Sequence, residues 1–163
     1  MPAAETTPQH FVERMPMVVE DQEDRFNNDE KLKILSRSDT PIHYRAIPYG
    51  PIDERRRRFL LDTQQHQISV TIPSIGLNFD FHLTSVENRE EGSEIVTHFE
   101  SPLIFNGVCV KWIGHIGQSS LQGAGRFVYD SERANSLGQV RQEEARRYQT
   151  RIDAIYSRFQ VSG

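Results

Sequence analysis

The sequence predicts an α+β domain in which helices flank a curled antiparallel sheet. Three observations lead there. The middle of the chain alternates apolar and polar residues with period two, most clearly in "LNFDFHL". Turn signals follow closely on one another in that region with no helical stretch between the later strands, so neighbours pair antiparallel. Both flanks instead carry helical spacing. About six strands with several glycines among them are expected to curl into a small barrel.

Residues 1–14, "MPAAETTPQHFVER", mix proline, threonine and charge without an apolar period and read as a disordered tail. From Glu20 to Arg37 a single helix is expected, with acidic residues crowding its start and basic ones its end, and with Phe26, Leu32 and Leu35 buried. Pro41–Ile47 reads as a short strand ended by the turn-prone "PYGP". Pro51 then opens a helix in which Ile52, Phe59 and Leu60 can share a face.

Two strands follow, "ISVTI" with Ile68, Val70 and Ile72 inward, and "LNFDFHL" with Leu77, Phe79, Phe81 and Leu83 inward. Val86–Glu94 is so charged that it reads as a loop. Ile95–Glu100, "VCVKWIGHI" and Gly125–Asp130 complete the strands, and Gly123 with Gly125 mark a bend. The last helix is expected from Ser136 to Phe159. In it Ala145, Tyr148, Ile152, Ile155 and Phe159 form a seam that packs on the chain's own barrel, and Glu143–Arg147 pair across one turn. The domain would span residues 15–160, leaving 161–163 as a short tail.

Composition narrows the function. A chain of 163 residues with 36% hydrophobic content supports one core. The net charge of -4 argues against autonomous, non-specific binding to phosphate backbones. A lone cysteine cannot form an internal disulfide. No apolar run approaches the ~20 residues that cross a bilayer, and no signal-peptide pattern opens the chain, so an intracellular domain is expected.

Candidate chemistry is sparse. Cys109 is the one thiol, and His115 lies six residues on in the same strand, about 20 Å away and out of hydrogen-bond reach. The six histidines (10, 43, 66, 82, 98 and 115) have no metal-ligand spacing, so neither metal nor cofactor is expected. Gly123 and Gly125 precede a strand, whereas phosphate-cradling loops open helices. "ERRRRF" (Glu54–Phe59) is the strongest charge run, but four consecutive arginines on a helix point in most directions. Asn106-Gly107 is a strong reverse-turn signal, because both residues tolerate positive φ.

Taken together, "PLIFNGVCVKWIGHIG…LQGAGRFVYDSERA" closely resembles the segment that identifies the core-binding factor beta family. "MPMVVEDQEDRFNNDEKLKILSR", "IHYRAIPYGPIDERRRRF" and "QEEARR" match in the same order, so the resemblance runs from Met15 to about Arg147. It implies a partly open six-stranded antiparallel barrel, related to oligonucleotide-binding barrels, with N-terminal helices and a C-terminal helix. It also implies a non-enzymatic transcriptional cofactor in the nucleus, with a cytoplasmic pool when unbound. Such a cofactor heterodimerises with a Runt-domain subunit and raises its DNA affinity without touching DNA. A single-stranded nucleic-acid barrel using the arginine run is the alternative reading.

Position by position, the resemblance places the partner surface at Met17, Val18, Ser74, Gly76, Leu77, Asp80, His98, Phe105, Asn106 and Gly107. Ser74 and Gly76 stand where the family has glycine and asparagine, Asp80 replaces a glutamine, Met17 replaces an arginine, and Phe105 replaces a smaller aliphatic residue. Asn106→Ala is expected to weaken heterodimerisation by ~1–3 kcal/mol while leaving stability near wild type. Residues 1–14 are expected to be dispensable for that binding.

Overall fold

The computed structural model describes residues 17–162. The chain runs α1 (Gln22–Asn28), α2 (Glu30–Arg37), β1 (Thr40–Tyr44), α3 (Ile52–Gln64), β2 (Gln67–Ile72), β3 (Leu77–His82), β4 (Ser85–Glu91), β5 (Glu94–Phe105), β6 (Val108–Gly117), β7 (Gln122–Tyr129) and α4 (Ser131–Ser162). The expected tail, residues 1–14, lies outside the described residues, and α4 continues to Ser162, past residue 160.

All strands pair antiparallel in the order β3-β2-β1-β7-β6-β5-β4, so the sheet has seven strands rather than six. The extra strand is β4, which from Val86 onward occupies the segment expected to be a loop. It pairs with β5 from Ser85↔Glu100 to Glu91↔Glu94 around a Gly92-Ser93 turn in which Gly92 takes φ 67°. As an edge strand it keeps its charged side chains in water, and such charges deter pairing with other chains. Neither edge strand, β3 or β4, pairs with the other, which leaves the barrel partly open. Aromatic side chains instead face each other across the interior, with Phe81 6.2 Å from Phe99 and Phe79 5.8 Å from Phe105 between ring centroids.

Ile68, Val70, Ile72, Phe81 and Leu83 are buried as the alternation predicts, while Leu77 and Phe79 are half-buried toward the opening. β5 runs well past Glu100, through Pro102. Pairing with β4 stops at Glu100, so proline sits where one edge of β5 is free. Gly123 and Gly125 lie within β7 rather than at a bend. A side chain at Gly123 would run into the His115 backbone carbonyl, and one at Gly125 into the Trp112 indole.

The N-terminal helical stretch is two helices, because Asp29 adopts extended backbone (φ -66°, ψ 132°) and its carboxylate caps α2 by accepting from Leu32 N–H at 3.1 Å. Leu32 and Leu35 are fully buried. On α3, Phe59 is buried but Ile52 and Leu60 are exposed. The helix turns Asp62 and Thr63 inward instead.

Asp62 explains that choice. Tyr44 Oη donates to its carboxylate at 2.6 Å and Arg58 Nε at 3.0 Å, while Arg55 Nη2 donates to the Tyr44 carbonyl at 2.6 Å. Burial and the adjacent carboxylate push the Tyr44 hydroxyl well above the ordinary tyrosine range, so it remains a donor. Tyr44→Phe should therefore cost about 1.5–3 kcal/mol, the usual worth of a hydrogen bond to a charged group, read as a lower denaturant midpoint.

α4 differs most from expectation. It starts at Ser131, five residues before the expected Ser136, and its apolar contacts with the barrel are made by Ala134 and Leu137 near Val18, Cys109, Ile104 and Tyr129. Tyr148, Ile155 and Phe159 of the seam are mostly exposed instead of packed on the sheet. Arg147 pairs with Glu144 at 3.4 Å rather than with Glu143. No described helix is long and apolar enough to cross a membrane.

Candidate functional site

The β5–β6 turn is the focus of one end of the sheet. Phe105 pairs directly with Val108, so Asn106 and Gly107 form a two-residue hairpin turn, with φ 49° and 80°. Positive φ at both positions is the type I′ signature, whose twist matches the flanking strands. Val110↔Tyr129 brings the end of β7, and with it the start of α4, to the same end.

The N-terminal segment binds this turn from the side. Val19 N–H donates to the Gly107 carbonyl at 2.8 Å, and a Cβ on Gly107 would lie 2.6 Å from Val19 Cγ1. Asn106 Nδ2 donates to the Asp29 carboxylate at 3.2 and 3.4 Å. Its amide oxygen accepts no hydrogen bond among the described residues, and the side chain is exposed. The turn thus holds one amide in a fixed orientation with its acceptor facing solvent.

Apolar groups flank it. Phe105 is half-buried, with its ring 5.8 Å from Phe79 and 5.2 Å from Phe127. Met17 is 67% exposed beside Val18, which is buried against Cys109 and Ala134. Ser74 and Gly76 lie in the β2–β3 turn, both exposed, with Gly76 at φ 65°. That turn leads into half-buried Leu77 and then Phe79, which touches Phe105.

Two of the expected residues lie apart from this cluster. Asp80 projects from the outer face of β3, where Ser69 Oγ donates to it at 2.6 Å and Arg45 lies 4.0 Å away. His98 is on the outer face of β5, with Nε2 2.7 Å from Glu91 Oε1 and its ring 5.5 Å from that of His115. Seven residues of extended chain, about 23 Å, separate His98 from Phe105.

Gln22 is the contributor that the sequence reading missed. Its buried amide accepts from Cys109 N–H at 2.8 Å and donates to the Ala134 carbonyl at 3.2 Å, tying α1, β6 and α4 together under the turn. A glutamine in an acidic stretch gives no pattern that marks it as buried. Gln22→Leu removes both partners' hydrogen bonds from a buried position, and about 2 kcal/mol of stability should be lost in equilibrium unfolding.

Burial pushes the Cys109 thiol above its usual pKa, the opposite of an activated nucleophile. Among the described residues no group of three or more His, Cys, Asp or Glu side chains is placed to hold a metal ion. The arginine run is largely committed to internal contacts. Arg55 bonds the Tyr44 and Ala46 carbonyls, Arg56 the Ser119 carbonyl and Arg58 the Asp62 carboxylate.

One end of the half-open barrel therefore offers an exposed amide among apolar side chains, a surface suited to contact with another protein. The chain matches the family described as core binding factor beta subunit over residues 15–160, and it belongs to that family. It is 29% identical over 153 residues to Protein brother of Drosophila melanogaster, covering 87% of this chain and 70% of that protein. Protein big brother of the same organism matches with the same identity and coverage. The family consists of non-enzymatic transcription cofactors, and membership implies the role of a Runt-domain partner.

Proposed function

We propose that this protein forms a heterodimer with a Runt-domain DNA-binding subunit and raises that subunit's affinity for DNA without contacting DNA itself. The observation that carries the reading is the Asn106 amide, held by a type I′ turn and the Asp29 carboxylate with its acceptor open to a partner. An exposed amide in fixed geometry loses little conformational freedom on binding. Phe105, Met17 and the Ser74–Leu77 segment would supply the apolar and backbone contacts around it, with Val18 and Gly107 shaping the surface from beneath. Asp80 and His98 would take part only if the partner reaches the outer face of the sheet.

The mechanism is linkage. A subunit that prefers the DNA-competent conformation of the Runt domain makes DNA bind more tightly, and DNA reciprocally tightens the heterodimer. The coupling expected is ~1–3 kcal/mol. The net charge of -4 suits a subunit held away from the phosphates. Its place of action would be the nucleus, with a cytoplasmic pool when the partner is absent.

Calorimetric titration checks the first step. Injecting a Runt domain should give saturable one-to-one binding, whereas duplex or single-stranded oligonucleotides should give no heat. Salt-sensitive binding of a single strand by the isolated protein would instead support a nucleic-acid barrel.

A further inference from the structure

His98 and His115 are too far apart in sequence to read as a metal motif, but they sit directly opposite each other across the β5–β6 pair. Both rings are half-buried on the outer face of the sheet, with centroids 5.5 Å apart and planes tilted by 32°. Two imidazoles that share one tetrahedral zinc, at about 2.0–2.1 Å per bond, have centroids roughly 5 Å apart. The pair already stands near that separation. A carboxylate also fixes one ring, since Glu91 Oε1 lies 2.7 Å from His98 Nε2. A carboxylate only accepts, so Nε2 carries the proton and the lone pair of the neutral ring is left on Nδ1. Carboxylate–histidine pairs of this kind orient metal ligands and raise their basicity. Among the described residues no hydrogen bond engages His98 Nδ1 or either ring nitrogen of His115. We propose that His98 and His115 bind one divalent ion of the zinc and copper class, with Glu91 orienting His98.

The surroundings suit an exchangeable ion rather than a structural one. Both histidines open onto a shallow hollow of about 380 Å³ that Ile113, Val128, Arg126 and Asp39 also line. No third ligand is placed among the described residues, so water completes the shell, and the hollow has room for it. Charge does not oppose a cation there. Arg126, the guanidinium of that hollow, is paired with Asp39 at 2.8 Å. Glu87, directly opposite His98 on β4, pairs with Arg89 at 2.9 Å. Imidazole nitrogen suits Zn²⁺, Ni²⁺ and Cu²⁺, whereas Mg²⁺ and Ca²⁺ take oxygen ligands. A bound ion would tie β5 to β6, and the Glu91 contact would extend the tie to β4.

The inference does not rest on the heterodimer reading, and its test uses the isolated full chain. Calorimetric titration with zinc chloride should show saturable binding of one ion per chain, and magnesium chloride should give no binding. Glu91→Gln should weaken zinc binding about tenfold, the lower end of the usual cost of losing such a carboxylate partner. His98→Gln and His115→Gln should each weaken it more. His82→Gln, on β3 and outside the pair, should leave it unchanged. The wild type supplies a second reading that needs no variant to fold. Zinc should shift the NMR ring signals of His98 and His115 and leave those of His43, His66 and His82 in place. No binding at submillimolar zinc overturns the inference, as does binding that survives both histidine substitutions. Shifts confined to other rings, His10 included, overturn it as well. A zinc affinity indifferent to Glu91→Gln would overturn the part given to that carboxylate.

Discussion

Asn106→Gly should leave the protein folded while weakening its binding to a Runt domain by about 1–3 kcal/mol, roughly 5- to 150-fold. Glycine is the informative replacement because Asn106 sits at φ 49°. Alanine there would strain the turn as well as remove the amide, so the expectation that Asn106→Ala leaves stability near wild type does not hold. Glycine occupies the first position of a type I′ turn without strain and keeps the turn's twist. What it removes is the open acceptor and the bond to Asp29. The bond to Asp29 is exposed, and its loss should cost less than about 1 kcal/mol. Calorimetry beside thermal unfolding separates the two roles: a stable variant that binds at wild-type strength would make Asn106 a turn residue only.

Gly125→Ala should be among the most damaging single-methyl changes in the chain, at about 3 kcal/mol. Its Cβ would fall 2.5 Å from Trp112 Nε1 and 2.6 and 2.7 Å from Cε2 and Cζ2. The indole has nowhere to retreat. It is fully buried, stacked on Phe81 at 5.6 Å and edge-on to Phe127 at 5.2 Å. Gly114, paired directly with Gly125, presses the same indole edge, with a would-be Cβ 2.5 Å from Nε1. Two facing glycines thus form the slot that admits the ring. Thermal unfolding should show a midpoint lowered by ~6–12 °C. Gly138→Ala gives the contrast: a side chain there meets nothing within 4 Å on α4. Helix propensity should then raise stability by up to about 1 kcal/mol.

The strands that bury one face were readable because their side chains alternate, as in β2 and β3. The Asn-Gly turn was readable because few residue pairs accept two positive φ values in succession. β4 was hidden because an edge strand is written in charge rather than alternation. The break between α1 and α2 was hidden because Asp29 in an acidic helix start looks like dipole compensation, while its carboxylate in fact caps the second helix. Gln22 and the Tyr44–Asp62 pair are buried polar groups whose partners lie far away or across a helix, so no local pattern marks them. For the site, resemblance placed Asn106, Phe105 and Gly107 together with Met17 and Val18. Geometry added the clamp from Val19 and Asp29, and it puts Asp80 and His98 on the outer face of the sheet.

The most direct test of the account is a gel-shift titration of a Runt domain on its DNA site, with and without a saturating amount of this protein. The account predicts no shift by this protein alone, and a several-fold to roughly hundredfold gain in the Runt domain's DNA affinity when it is present. Unchanged affinity at saturation would contradict it.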